Sequence, residues 1–137
     1  SLGATQVLER EVLATTRPMD SVRFGGGLDN VGGARLTSLL AQTAPYGNVA
    51  TAGLVASHEL PTTVMPFIIR GVSLLGVASA GTARDVRDDI WRHLADDWKP
   101  AHLDAICRQE ITLDGLPAVF RSMLSGESFG RTVVKTG

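Results

Sequence analysis

The sequence predicts an α/β fold, a parallel sheet with flanking helices. Two observations carry this. Short apolar runs alternate with stretches of helical periodicity, the pattern of an α/β sheet and not of a bundle or sandwich. One run, Asn48-Val49-Ala50-Thr51-Ala52-Gly53, is small on both faces, as a strand covered by helices on both sides requires.

The elements follow in order. Gln6-Val7-Leu8 reads as a short strand, followed by a polar loop containing Pro18. Gly27-Leu28-Asp29 runs into an Asn30-Val31-Gly32-Gly33 turn, placed between a strand end and a helix start. Leu36, Leu39 and Leu40 then fall at i, i+3 and i+4, one apolar helical stripe that Pro45-Tyr46-Gly47 stops. After the small-residue strand, Pro61 and Pro66 break up residues 55–70. Val72-Ser73-Leu74-Leu75-Gly76-Val77 is the clearest strand of the chain. Thr82 or Ala83 opens a helix in which Val86, Ile90 and Leu94 recur every fourth residue, leaving Arg84, Asp85, Arg87, Asp88 and Asp89 mostly to solvent. Beyond Pro100, Ala101–Cys107 predicts a short helix and Gln109–Leu113 an extended piece. Leu116, Val119, Phe120, Met123 and Leu124 predict a last helix ending at Gly126, and Arg131–Lys135 closes as a strand.

The 137 residues suffice for one ordinary domain, and 44% hydrophobic content supplies a core, which excludes wholesale disorder. With 13 basic against 14 acidic residues, net −1, there is no electrostatic footprint for nucleic acid or an anionic membrane. The single cysteine, Cys107, excludes an internal disulfide framework and a cysteine-rich zinc site, so cytoplasmic residence is expected. The apolar runs Val64–Ile69 and Val72–Ala80 fall short of the roughly 20 residues of a membrane span. No secretory signal is expected either, since no basic stretch followed by an apolar one opens the chain. Ser1-Leu2-Gly3-Ala4, without an initiator Met, reads as the middle of something longer.

Chemistry is sparse. Gly25 and Gly27 have the first spacing of the dinucleotide fingerprint G-x-G-x-x-G, but its third position falls on Asn30 and the run precedes its strand. A flexible loop is the default there. The turn Asn30-Val31-Gly32-Gly33 is better placed, because ligands of open parallel sheets sit at the carboxyl ends of strands; a plain tight turn is the competing reading. His58, His93 and His102 are dispersed without an i, i+4 pair, so no metal centre is expected. His93 reads as a boundary residue of its helix, and Cys107, beside Ile106, as a core thiol. Ser57-His58-Glu59 are consecutive, which no nucleophilic triad requires, and no G-x-S-x-G elbow is present. Asp88-Asp89 and Asp96-Asp97 read as solvated helix acids. Trp91 and Trp98, among seven aromatic residues, make no base-stacking platform. No catalytic residue is assigned.

Several longer stretches carry a resemblance. Ser1–Arg10 is similar to an LGA-x-x-V-I/L-x-R stretch, Leu28–Gly33 to VDSVGG, and Tyr46–Leu54 to YGGAVAACGL. Leu60–Gly76, LPTTVMPFIIRGVSLLG, is close to LPTTVxPFILRGVxLxGI. Ala101-His102-Leu103 and Gly130–Val134 look like closing segments of the same pattern. Together they resemble the C-terminal part of the medium-chain dehydrogenase/reductase superfamily, in its zinc-independent quinone oxidoreductase-like branch with the acrylyl-CoA reductases.

The resemblance implies the distal half of a Rossmann-type parallel sheet with flanking helices over residues 1–100. It implies a segment over 101–137 that returns to a catalytic domain outside the sequence. The strand, Gly-rich turn and helix that hold the pyrophosphate would precede Ser1, so these residues alone are expected to have little turnover. The implied cofactor is NADPH, the implied reaction hydride transfer to an activated alkene or a quinone, without zinc. Asn30, Val31 and Gly32 would approach the cofactor after one strand, Gly53 and Leu54 after the next, near the nicotinamide end. Val77, Ala78 and Ser79 would follow the last, and Arg131 would contact the cofactor from the returning strand. Asn30 stands where the pattern has Ser or Thr, Val55-Ala56-Ser57 replaces a Gly-containing turn, and Ala78-Ser79-Ala80-Gly81 departs from IDS-V/M. Homodimerisation through the edge strand Val72–Val77 is implied, and a second strand edge left unpaired where the preceding strand would lie also predicts self-association. Two other readings stay open: an enoyl reductase module of a larger synthase, and a stand-alone α/β module that binds a small ligand or protein without catalysis.

Overall fold

Three short strands, β1 (Gly27–Asp29), β2 (Asn48–Thr51) and β3 (Ser73–Gly76), pair in parallel in the order β1-β2-β3. They are seen in a computed structural model that describes residues 3–136. With helices α1 (Gly33–Gln42) and α2 (Met65–Arg70) they build one compact unit, Gln6–Ala83. A second unit comprises Arg84–Gly137 with Ser1–Thr5.

The first unit holds the apolar core. Leu36, Leu39 and Leu40 form the expected stripe on α1 and bury against Val49 of β2 and Val72, with Phe24, Phe67, Leu74 and Leu13 packed around them. Gly27 lies in register with Val49, and a Cβ there would meet the Leu39 side chain at 2.8 Å. The glycine is thus the space into which Leu39 packs. α2 begins with Pro66 in its first turn, where a missing N–H costs nothing, and Gly71 ends it at φ 62°.

One expectation is corrected here. Gln6-Val7-Leu8 is not a strand: it is exposed, with Val7 at 92%, and no strand among the described residues pairs with it. Residues 10–13 form one 3-10 turn instead, and polar side chains of α1 hold this segment. Arg35 donates to the carbonyls of Arg10 and Leu13, Gln42 Nε2 donates to the Val12 carbonyl at 2.8 Å, and Ser38 Oγ accepts from the Thr15 N–H at 3.2 Å. The buried polar residues Ser38 and Gln42 thereby satisfy a backbone that has no ladder. For β2, expected to be covered on both faces, the described residues supply one cover. The Val49 face carries the core, but the in-register row Leu28–Ala50–Leu75 on the other face leaves Leu28 76% and Leu75 49% exposed.

The second unit contains α3 (Arg84–Ala95), α4 (Leu103–Ile106), β4 (Cys107–Thr112), α5 (Leu116–Leu124) and β5 (Arg131–Lys135). β4 and β5 pair in parallel, with an irregularity between Cys107 and Gln109. The helices expected from periodicity are present, but none of the described residues from Arg84 onward is fully buried. Cys107 is accordingly not a core thiol. It sits half-exposed at the start of β4, its Sγ 3.7 Å from the Gln109 carbonyl. His93 is the expected boundary residue, with Nδ1 2.7 Å from Asp97 Oδ1 and its ring stacked on Trp98.

Candidate functional site

The carboxyl ends of β1 and β2 meet in a ledge stitched by backbone hydrogen bonds. The N–H of Ala52 donates to the Asp29 carbonyl at 2.8 Å, Val55 N–H to Asn30 at 3.3 Å, and Ala56 N–H to Val31 at 2.9 Å. The turns after the two strands therefore form one piece. Glycines set how closely they approach. A Cβ on Gly53 would lie 2.7 Å from the Asn30 carbonyl oxygen, and one on Gly32, at φ +73°, would strike the Ser57 carbonyl. Only glycine satisfies both the backbone sign and the space at Gly32.

Of the residues expected at a cofactor, Asn30, Val31, Gly32, Gly53 and Leu54 are brought together in this ledge. Val77 extends it, since its N–H donates to the Thr51 carbonyl at 2.9 Å. Ala78 and Ser79 follow directly, in the loop and 3-10 turn after β3. Asn30 is exposed, and Leu54 and Val77 are 65% and 46% exposed. Arg131 belongs to the second unit, at the start of β5. There it lines an apolar groove of about 490 Å³ with Leu116, Phe120, Met123 and Phe129. The Arg108 guanidinium lies 5.4 Å from the centre of the Phe129 ring.

The expected flexible loop at Gly25–Gly27 is instead a packing element. Gly26 approaches the Asn48 carbonyl so closely that a Cβ would lie 2.6 Å from it, and Gly47 packs against the Gly25 carbonyl. These glycines let the backbone of 25–27 lie against the start of β2.

Sequence reasoning missed Asp29 and Thr51. Asp29 is 6% exposed. Its Oδ1 accepts from the N–H groups of Val31 and Gly32, both at 3.2 Å, and its Oδ2 accepts from Gly32 N–H at 3.1 Å and the Thr51 hydroxyl at 3.2 Å. The local signal was available: an Asp followed by a turn bonds the N–H groups two and three residues on. Thr51 was not legible, because it joins Asp29 only through the β1–β2 register, in which the two lie opposite each other. Among the described residues no three His, Cys, Asp or Glu side chains converge to hold a metal ion, and no helix is long and apolar enough to cross a membrane.

No protein-family model matches the chain. A Bacillus subtilis protein named as a quinone oxidoreductase, YhfP, is 39% identical over 136 residues, 98% of this chain and 41% of its own length. Its crystal structure with NAD bound superposes with a TM-score of 0.91, over 98% of this chain and 41% of that one. The acrylyl-CoA reductase AcuI of Ruegeria pomeroyi is 40% identical over 98% of this chain and 41% of its own. This chain is a homologue of those oxidoreductases. The similarity to these oxidoreductases extends over 98% of the chain, and the three parallel strands with their helices are part of a Rossmann-type fold. The Escherichia coli K-12 protein YhdH, solved with bound NADPH, is 37% identical and superposes with a TM-score of 0.88, over 98% of this chain and 42% of that one. The chain spans 41% of the length of the curated relatives, and the ledge lies within the matched residues.

Proposed function

We propose that this chain is the distal half of the dinucleotide-binding domain of an NADPH-dependent oxidoreductase, with residues 101–137 returning to a catalytic domain. Hydride passes to an activated alkene of the acrylyl-CoA kind, or to a quinone. The observation that supports this reading is the stitched ledge at the carboxyl ends of parallel strands, in a chain whose homologues were solved with NAD and NADPH.

The residues present suit the nicotinamide end of such a cofactor. Gly32 and Gly53 let the two turns close into one ledge, and Leu54 and Val77 offer apolar surface beside the exposed Asn30 amide. When bound, NADPH supplies the hydride. The chain's own part is orientation: Leu54 and Val77 keep water from one side of the ring, and Asn30 offers a donor and an acceptor to its polar groups. Homodimerisation through β3 belongs to the same proposal. It is supported by the place of β3 at the end of the strand order and by exposed Ile68 and Ile69 on α2.

The test starts with the intact mass of the native protein, then a titration of that species with NADPH and NADH followed by nucleotide fluorescence. A species of roughly 35 kDa that binds NADPH and oxidises it with acrylyl-CoA or a quinone is the expected result. Binding of neither nucleotide at native length would overturn the proposal. A strictly monomeric hydrodynamic radius at high concentration would remove the dimer.

A further inference from the structure

We propose that Asp29 selects the ledge's ligand by charge, keeping phosphate off the β1–α1 turn and favouring the cationic oxidised nicotinamide over the neutral reduced ring. This rests on the dinucleotide reading above and adds to it a residue and a preference.

A turn leading into a helix ordinarily attracts anions, because its N–H groups point outward without partners. Here three of those donors are already taken. The N–H groups of Val31 and Gly32 both point at the Asp29 carboxylate, and the Gly33 N–H donates to the Glu59 carbonyl at 3.1 Å. A phosphate arriving at this turn finds these three donors occupied and a negative charge beneath them. Donors face both Asp29 oxygens, the hydrogen-bonding pattern of a carboxylate. Among the described residues no Lys, Arg or His forms an ion pair with it. The groups in direct contact with the charge are neutral dipoles, and its field at the ledge is screened less than that of an exposed acid. A ligand group that carries positive charge gains from that field, and a neutral one of the same shape does not.

Asp29→Asn is the informative substitution. It keeps the size and an acceptor oxygen for the turn N–H groups and removes the charge. Dissociation constants for NADPH, by its fluorescence, and for NADP+, by displacement, are measured on the protein at native length. In the wild type the ratio of oxidised to reduced constants takes a reference value. In Asp29→Asn, with folding checked by its melting curve, that ratio rises about threefold or more. Thr51→Val loosens the ledge but keeps the charge, so both constants shift together and the ratio stays within about twofold. An unchanged ratio in folded Asp29→Asn overturns this inference alone. Wild-type protein that binds neither nucleotide overturns it together with the functional reading. A second measurement needs no substitution: inorganic pyrophosphate titrated into the wild type leaves the amide resonances of Val31 and Gly32 in place. A saturable shift of those two amides overturns the exclusion of phosphate.

Discussion

The Arg70 guanidinium donates a 2.8 Å hydrogen bond to the Ala41 carbonyl, tying the end of α2 to the end of α1. The same guanidinium reaches the carbonyls of Thr43 and Asp20. One side chain thus joins the last turn of α1, which leaves the Ala41 and Thr43 carbonyls without an intrahelical partner, to the loop at Asp20. Arg70→Ala is expected to cost about 2–3 kcal/mol, as charged hydrogen bonds to half-buried acceptors do. Arg70→Lys should recover only part of this, because an ammonium cannot reproduce the planar fork. Urea unfolding, read as a shift in midpoint at constant slope, measures both.

The glycines of the 25–47 region should separate by position. A Cβ on Gly25 meets nothing within 4 Å, so Gly25→Ala is expected to change stability by less than about 0.5 kcal/mol. A Cβ on Gly47 would strike the Gly25 carbonyl and lie 2.5 Å from Thr43 Cγ2, so Gly47→Ala should cost about 2 kcal/mol or more. Equal effects in thermal unfolding would contradict the packing role given to this stretch.

At the ledge, Gly53→Ala places a methyl 2.7 Å from the Asn30 carbonyl and must move one turn away from the other. A loss of about tenfold in nucleotide affinity is expected, equivalent to about 1.4 kcal/mol. Isothermal titration at native length checks it.

The Asp20 carboxyl is held below its ordinary value of 3.8, first by the Ser21 N–H at 2.7 Å, then by the Thr15 hydroxyl, with smaller help from Arg17 and Arg23. A carboxyl lowered in the folded state adds stability that is present above its unfolded value and is lost as pH falls through the folded one. The melting temperature should therefore decline as pH drops below about 4. In Asp20→Asn that part of the decline should be smaller, and an identical pH profile would show that Asp20 makes no contribution.

In the 137-residue chain taken alone, hydrogen exchange should be slowest in α1 and β2, where Leu40 and Val49 are fully buried, and fast in α3 and α5, which contain no fully buried residue. Leu40→Ala is expected to cost about 3 kcal/mol through transfer and cavity terms. Protection in α5 equal to that in β2 would contradict this division.

Much of the fold was legible from short patterns. The Leu36, Leu39, Leu40 stripe predicted α1, and the runs at 48–53 and 72–77 predicted β2 and β3 within two residues at each end. The apolar stripe of α3 was equally clear, yet Val86 and Ile90 remain 50% and 40% exposed. Periodicity reports which face is apolar and not what covers it. Gln6–Leu8 failed for a related reason: a strand is defined by its partner, and none among the described residues pairs with this segment. At the site, the resemblance singled out Asn30, Gly32 and Gly53 by position, whereas the Asp29–Thr51 bond joins residues distant in sequence.

By itself the sequence determined most of the helices, strands and turns, and which proteins the chain resembles. Those properties reside in neighbouring residues: helical spacing, proline and glycine placement, and local motifs. Only the tertiary structure decided that Gly26 and Gly27 are packing contacts and that Asp29 lies buried against Thr51. Each depends on strand register and on which backbone approaches which, and register is set by long-range pairing that no local window contains.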